Sequence, residues 1–382
     1  MIGKTHFLRM SACTLTILGC LITKPTTAQP QPDTFIDTGD THGGNRQSSV
    51  DNHLKQELKL AGAYMMGRGG VARDPQQAAY WYRKAADQGF PPAQVQLGYF
   101  YLAGLGVPHD EAQAAKWFAR ATASGSVEGK LNLAVLYFRG AGIPRDPHMG
   151  YVLMQELADK QYPRAEDYLG ILYYLGVGVE KDPAKAEKWF ERAASHHCPE
   201  GGYSMGTMYS VAPDHPHDFN KAVSYLRPSA DAGYVPSMHS LGLLLVNHPE
   251  ISQQPDEARH WLQVAAEGGA YRSSIVLGVL ARDGKGVPKD PTLAYQWFTI
   301  AVKQGGQAPQ KLLASDLELA RKTLSADQQS AAEQAAQAWL EAHPHQDIYV
   351  HGGELDYAYF PLNEVYATGL DLDEADKGAT KN

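Results

Sequence analysis

A chain of 382 residues, 43% hydrophobic and 20% charged, has the composition of a folded protein and is long enough for one large array or two to three ordinary domains. Its formal net charge of −8, with no Lys/Arg cluster to offset it, excludes nucleic acid as a general partner, because phosphate binding needs a concentrated basic face.

In chain order, Lys4, His6 and Arg9 precede an apolar stretch from Met10 to Thr23, which Lys24-Pro25-Thr26-Thr27-Ala28 follows. This reads as a secretory signal peptide over residues 1–28, cut after Ala28, since the apolar run is shorter than the roughly 18 to 20 residues of a membrane span. Ile17-Leu18-Gly19-Cys20 offers an alternative: it looks like a bacterial lipobox and would place a lipid anchor on Cys20, although bulky Leu18 fits that pattern poorly. Cleavage removes Lys4, Arg9, Lys24 and no acid, which takes the net charge to −11 and leaves Cys198 as the last cysteine. No intramolecular disulfide can then form, and a lone Cys reads as a packing residue. Residues 29–53, rich in Gln, Pro, Thr, Gly and Ser, read as a flexible leader.

Residues 54–308 repeat themselves every 36 positions. Trp81, Trp117, Leu153, Trp189, Tyr225, Trp261 and Trp297 fall on that ruler, and so do Gly62, Gly98, Ala134, Gly170, Gly206, Gly242 and Gly278. A fixed period of this size signals a solenoid, and each unit reads as two helices. In the last unit the first helix is predicted over about 271–282, ending at Asp283-Gly284-Lys285-Gly286, where glycine admits the left-handed conformation. Asp290 is the predicted cap of the second helix, with Pro291 at its first position and Gly305-Gly306 at its end. The short connections make the two helices antiparallel. One hairpin cannot bury its apolar surface alone, so each needs the next.

These strings, L-G-x-x-Y, then G-x-G-V-x-x-D, then A-x-x-W-[FL]-x-x-A-A-x-x-G, resemble Sel1-like repeats, relatives of the tetratricopeptide repeat. Gly98, Gly104, Gly106, Val107, Asp110, Ala114, Trp117, Phe118 and Gly125 carry the pattern in the second unit. The resemblance implies an all-α fold, an α-solenoid of about seven 36-residue helix-turn-helix repeats in a right-handed superhelix with a C-terminal helical cap. It also implies an exported, non-catalytic scaffold for protein–protein interaction, in the periplasm of a bacterium, with no cofactor. The runner-up is a binding platform in cell-wall or exopolysaccharide assembly. Some relatives with cysteine-paired repeats are linked to penicillin binding; the paired cysteines are absent here, so that activity is not carried over. Two units depart from the pattern: SVAPDHPHDFN and VNHPEISQQPDEA stand where the fifth and sixth G-x-G loops belong.

After the array, residues 309–343 read as capping helices, over about 312–324 and 327–342. Residues 344–382 form an acidic tail with Tyr349, Tyr357, Tyr359, Phe360 and Tyr366. Its IYVH and LDYAYF strings read as a hairpin, an extended segment on the protein's own surface, or a partly disordered tail.

Three strings invite a chemical reading. Gly202-Tyr203-Ser204-Met205-Gly206 matches the G-x-S-x-G of hydrolases, but that chemistry needs the serine on a strand-to-helix turn, and here the repeat puts it inside a helix. Asp214-His215-Pro216-His217-Asp218 and the group His343, His345, His351 offer imidazoles, yet without the i, i+4 pairs or CxxC partners that metal ligation favours; no metal site is assigned. The G-x-G strings follow helices rather than strands, so they close turns and do not cradle phosphate.

The joint columns repeat because packing repeats: Gly98, Trp117, Gly170, Trp189, Gly206, Gly242, Trp261, Gly278 and Trp297 form this structural signature. The opposite face of each first helix varies, which leaves it free to suit a partner. In related repeat families that face lines a concave groove. Val95, Tyr99, Leu102, Leu131, Phe138, Asp167, Tyr174, Tyr203, His239 and Arg282 are the expected lining. The plain alternative, strongest for the aliphatic column of Tyr99, is that these side chains pack between neighbouring first helices.

Overall fold

In five repeats an aspartate at the same position of the 36-residue unit closes one helix and opens the next. The N–H groups of Asp110, Asp146, Asp182, Asp218 and Asp290 bond carbonyls of Tyr101, Tyr137, Tyr173, Tyr209 and Ala281, near the ends of the preceding helices. Their carboxylates accept the N–H of Gln113, Met149, Lys185, Lys221 and Leu293, in the first turn of the helix that follows. Each aspartate thus satisfies a donor the helix start leaves orphaned and fixes where the hairpin turns.

The computed structural model describes residues 47–212, 215–252, 254 and 256–344. Residues 1–28, read as a signal peptide, most of the segment read as a leader, and residues 345–382, with the strings read as a hairpin or other tail, lie outside them. The described residues form 17 α-helices in consecutive hairpins, with no strand among them. They divide into two compact units, 47–186 and 187–344. The first contains α1 (Gln47–Met66), α2 (Pro75–Asp87), α3 (Pro91–Ala103), α4 (Glu111–Ala123), α5 (Val127–Arg139), α6 (Pro147–Ala158) and α7 (Pro163–Leu175). The division falls inside α8 (Pro183–Ser195). The second unit contains α9 (Pro199–Val211), α10 (Phe219–Asp231), α11 (Val235–Asn247), α12 (Glu257–Glu267), α13 (Tyr271–Asp283), α14 (Pro291–Gly305), α15 (Gln307–Leu312), α16 (Ala314–Thr323) and α17 (Ala326–Ala342). The boundaries expected for the last repeat hold: α13 is capped by left-handed Gly284, and α14 starts with Asp290 as cap and Pro291 inside the first turn.

Within a hairpin the repeated glycine makes room for a large buried side chain on the second helix, seven residues before the glycine near that helix's end. A Cβ on Gly98 would stand 2.5 Å from the Phe118 ring, and one on Gly278 2.4 Å from Phe298; Gly206 and Gly242 face Leu226 and Leu262 in the same way. Phe118, Phe298, Leu226 and Leu262 are at most 2% exposed. The third repeat reverses the arrangement. Ala134 and Met154 stand in those columns, and it is Gly150, where other repeats carry alanine, that clears 2.6 Å of space for Phe138.

Between hairpins the tryptophan column recurs with a cation. Arg120 lies 4.6 Å from the centroid of the Trp117 ring, Arg192 5.1 Å from Trp189, and Lys84 4.9 Å from Trp81. Each cation sits three residues on, one turn above its ring. Trp297 instead packs edge-on against Trp339 of α17, 5.5 Å between centroids.

The second loop glycine turns out to be a joint. Gly106 (φ 67°) passes so close to α2 that a Cβ would stand 2.1 Å from the Pro75 carbonyl oxygen; Gly142 and Gly178 approach Glu111 and Pro147 alike. The departing loops keep this joint with side chains. In the sixth, His248 stacks on Phe219 at the start of α10, centroids 3.8 Å apart, at the position Pro75 holds in the first repeat. In the fifth, His215 packs edge-on against Tyr209, 4.7 Å between centroids, and lies 3.5 Å from Glu187.

Beyond the last repeat come three further helices, α15–α17, of which α16 and α17 both pack on α14. Leu313 and Ala314 continue the columns of Leu277 and Gly278, and α17 lies on α14 through Tyr295–Glu333 (2.8 Å) and Lys303–Gln337 (2.7 Å) hydrogen bonds. The sequence reading placed two helices here; the structure has three, because the chain breaks at Leu313 between α15 and α16.

Candidate partner-binding face

The varied face assigned from sequence lies on α3, α5 and α7 in the first unit and on α9, α11 and α13 in the second. Consecutive first helices pack on one another: α3 on α5, α9 on α11, and α11 on α13. That seam corrects much of the assignment. Val95, Tyr99, Leu131, Phe138, Asp167, Tyr174 and Tyr203 are only 1% to 8% exposed, so a partner on the folded surface cannot reach them. They are packing residues, as in the alternative weighed for the Tyr99 column.

Their contacts explain the burial. The Tyr99 hydroxyl donates to Glu128 Oε1 (3.1 Å) and accepts from Asn132 Nδ2 (2.8 Å), both on α5. Burial, with the Glu128 carboxylate beside it, raises this phenol far above its ordinary value. The Tyr203 ring meets Tyr234 edge-on at 5.7 Å, and Phe138 fills the gap left by Gly150.

Three assigned residues keep surface: Leu102, His239 and Arg282. The His239 Nδ1 is hydrogen bonded to Ser273 Oγ at 2.8 Å. Loss of water around the ring, and then the nearby Arg272 charge, lower its pKa from 6.5 to about 4. The unfolded chain therefore binds the extra proton between pH 6.5 and 4. Stability from neutral His239 is complete above 6.5 and is lost as pH falls toward 4. His239→Gln is expected to flatten this acid limb of the thermal melting temperature, measured from pH 7 to pH 4.5. Arg282 bonds Asp283 (2.6 Å) and Asp316 of α16 (2.7 Å), which holds its proton more firmly than usual. It ties α13 to α16.

The varied columns have further members, outside the expected lining, that stay partly open in the second unit: Leu243, Val246 and Ile275, with Ser210. The signal was present, since Leu243, Val246 and Ile275 occupy the columns of Tyr99, Leu102 and Val95. Periodicity alone does not say which members of a column the neighbouring helix covers.

The chemical candidates resolve simply. Ser204 is 2% exposed inside α9, without the strand-to-helix turn that exposes a nucleophile. His217 Nε2 is hydrogen bonded to the Ala212 carbonyl and His343 Nδ1 to that of Trp339. Among the described residues no group of three His, Cys, Asp or Glu is arranged to hold a metal ion; His345 and His351 lie outside them. Buried Cys198 stands at the N-cap position of α9, where its side chain makes no capping hydrogen bond. No helix of the described residues is long and apolar enough to cross a membrane.

The family model for the Sel1 repeat matches seven segments of the chain, residues 57–90, 91–126, 127–162, 163–197, 201–234, 235–269 and 275–306. A Sel1 repeat protein from Oxalobacter formigenes is 27% identical, covers 67% of this chain and 98% of its own, and superposes with a TM-score of 0.54. The protein c5321, a protective antigen present in uropathogenic Escherichia coli strains and displaying an SLR fold, is 25% identical over 81% of this chain and 74% of its own, with a TM-score of 0.38. The immunity protein Pa5087 from Pseudomonas aeruginosa is 20% identical over 56% and 83%, with a TM-score of 0.36. No curated protein matches the chain.

Proposed function

Because this chain belongs to the Sel1-repeat family, whose members generally mediate protein–protein interaction, we propose that it is a non-catalytic scaffold holding a protein partner along the inner faces of its first helices. One observation carries the reading. In four repeats the joint glycine keeps its contact with a large buried side chain, as at Gly98–Phe118 and Gly278–Phe298, whereas the inner columns change character. Hairpin-on-hairpin packing repeats from unit to unit and gives no reason for Leu102, Ser210 and Val246, all partly open, to share one column. The contact set proposed is the part that retains surface: Leu102 in the first unit, and His239, Leu243, Val246 and Ile275 in the second. Spread aliphatic contacts with few polar anchors suit a helix or an extended peptide.

The polysaccharide reading gains less support. Sugar rings stack on free aromatic faces, and here the Trp117 and Trp189 rings already carry Arg120 and Arg192. Export through residues 1–28 to the periplasm, with or without a lipid on Cys20, completes the proposal and rests on the sequence of that segment.

A photo-crosslinking residue at positions 102, 243 and 246, with exposed Ala119 and Ala184 as controls, tests the face. The expected result is one shared adduct protein from the inner positions and none from the controls. Equal labelling of both sets, or partner retention by a folded Leu243→Glu variant, rejects the assignment.

A further inference from the structure

His239 stands where the hairpin α11–α12 meets the hairpin α13–α14. It shares one side of α11 with Leu243 and Val246, four and seven residues on. Its Nδ1 ties α11 to Ser273 of α13 at 2.8 Å. Three other repeats place Val95, Leu131 or Ile275 in this position, and none of those can take a proton. A protonated imidazole has two donors and no acceptor, so Nδ1 can no longer receive the Ser273 proton. Ser273 is fully buried, and its hydroxyl has no water to turn to. The new charge would also lie beside Arg272 of α13. Nothing offsets it: α11 carries no other ionisable side chain, and among the described residues no carboxylate of α9, α10, α12 or α13 bears on the ring.

We propose that this joint is opened by acid: a proton on His239 loosens α11–α12 from α13–α14 and breaks up the face formed by Leu243, Val246 and Ile275. Release of a partner at low pH follows only if that face is the binding face argued above; the loosening itself does not depend on it.

Hydrogen exchange on the full-length protein, with each rate divided by the free-peptide rate at the same pH, tests the joint. The ring titrates at 6.5 when released and at about 4 in the joint, so opening read in α11 and α13 should rise about twentyfold from pH 7 to pH 5. Helices α4 and α5 of the first unit should change far less, since loosening in a repeat array stays between neighbours. His239→Gln keeps a hydrogen-bonding group that takes no proton and should abolish the rise; Arg272→Gln should shrink it. Should His239→Gln weaken the joint at both pH values, the ratio between them still decides, because a loss independent of pH cancels. A rise that persists in His239→Gln puts the sensor elsewhere and overturns the proposal. An equal rise in α4 and α5, or no rise in the unaltered chain, overturns it as well. No partner enters these measurements, so their outcome is separate from that of the crosslinking test.

Discussion

Gly106→Ala is expected to uncouple the first two hairpins, at a cost of several kcal/mol. A left-handed backbone alone costs a non-glycine residue about 1–2 kcal/mol. The larger part is steric: the new Cβ would stand 2.1 Å from the Pro75 carbonyl oxygen and 2.6 Å from the Gln76 nitrogen, backbone atoms held by the α2 cap at Asp74. Nothing there is a flexible side-chain end that can swing aside, so the loop must lift from α2. Gly286 is the control. Its φ is 69°, but no described atom lies within 4 Å of where its Cβ would be; Gly286→Ala should cost only the backbone component. In a repeat array such damage stays between neighbours. The readout is therefore regional hydrogen exchange: α1 and α2 should lose protection in Gly106→Ala, while α13 and α14 in Gly286→Ala stay close to their original rates.

Phe118→Ala should cost about 3–5 kcal/mol, the range for emptying a buried aromatic site. The ring is fully buried, fills the space kept by Gly98, and meets Tyr99 edge-on at 5.5 Å. Denaturant titration followed by tryptophan fluorescence would show an earlier loss of the first unit. Phe118→Leu with Gly98 kept should lose much less than Phe118→Ala, because leucine is what faces the glycine in two other repeats. A Phe118→Ala protein with an unshifted midpoint would mean that the cavity collapses and that the glycine–phenylalanine contact is incidental.

How much of this was legible beforehand depends on whether a feature is local. Asp290, Pro291 and Gly284 mark helix ends by chemistry confined to a few residues, and the last repeat begins and ends where they say. The glycine and tryptophan columns told of hairpins stacked on hairpins. The inner face was not legible in the same way. Val95 and Tyr203 look available on a single helix, and they are covered only because the next first helix lies against them. The loss of G-x-G from two loops put their contacts in doubt, yet His248 on Phe219 and His215 on Tyr209 restore a joint by means that no spacing rule encodes. Leu243 and Ile275 illustrate the converse: they sit in columns that are covered elsewhere and remain open where they occur.

The reversed third repeat limits how the array can be rebuilt. Gly150 and Phe138 are a matched couple, so importing the consensus alanine at position 150 breaks a fit that Phe138 still expects. Recombination that cuts between α5 and α6 would separate the couple, whereas exchange of the whole 36-residue block carries it together. Inheritance in blocks, rather than residue by residue, is thus the route by which such arrays can lengthen or shuffle without passing through a misfit intermediate.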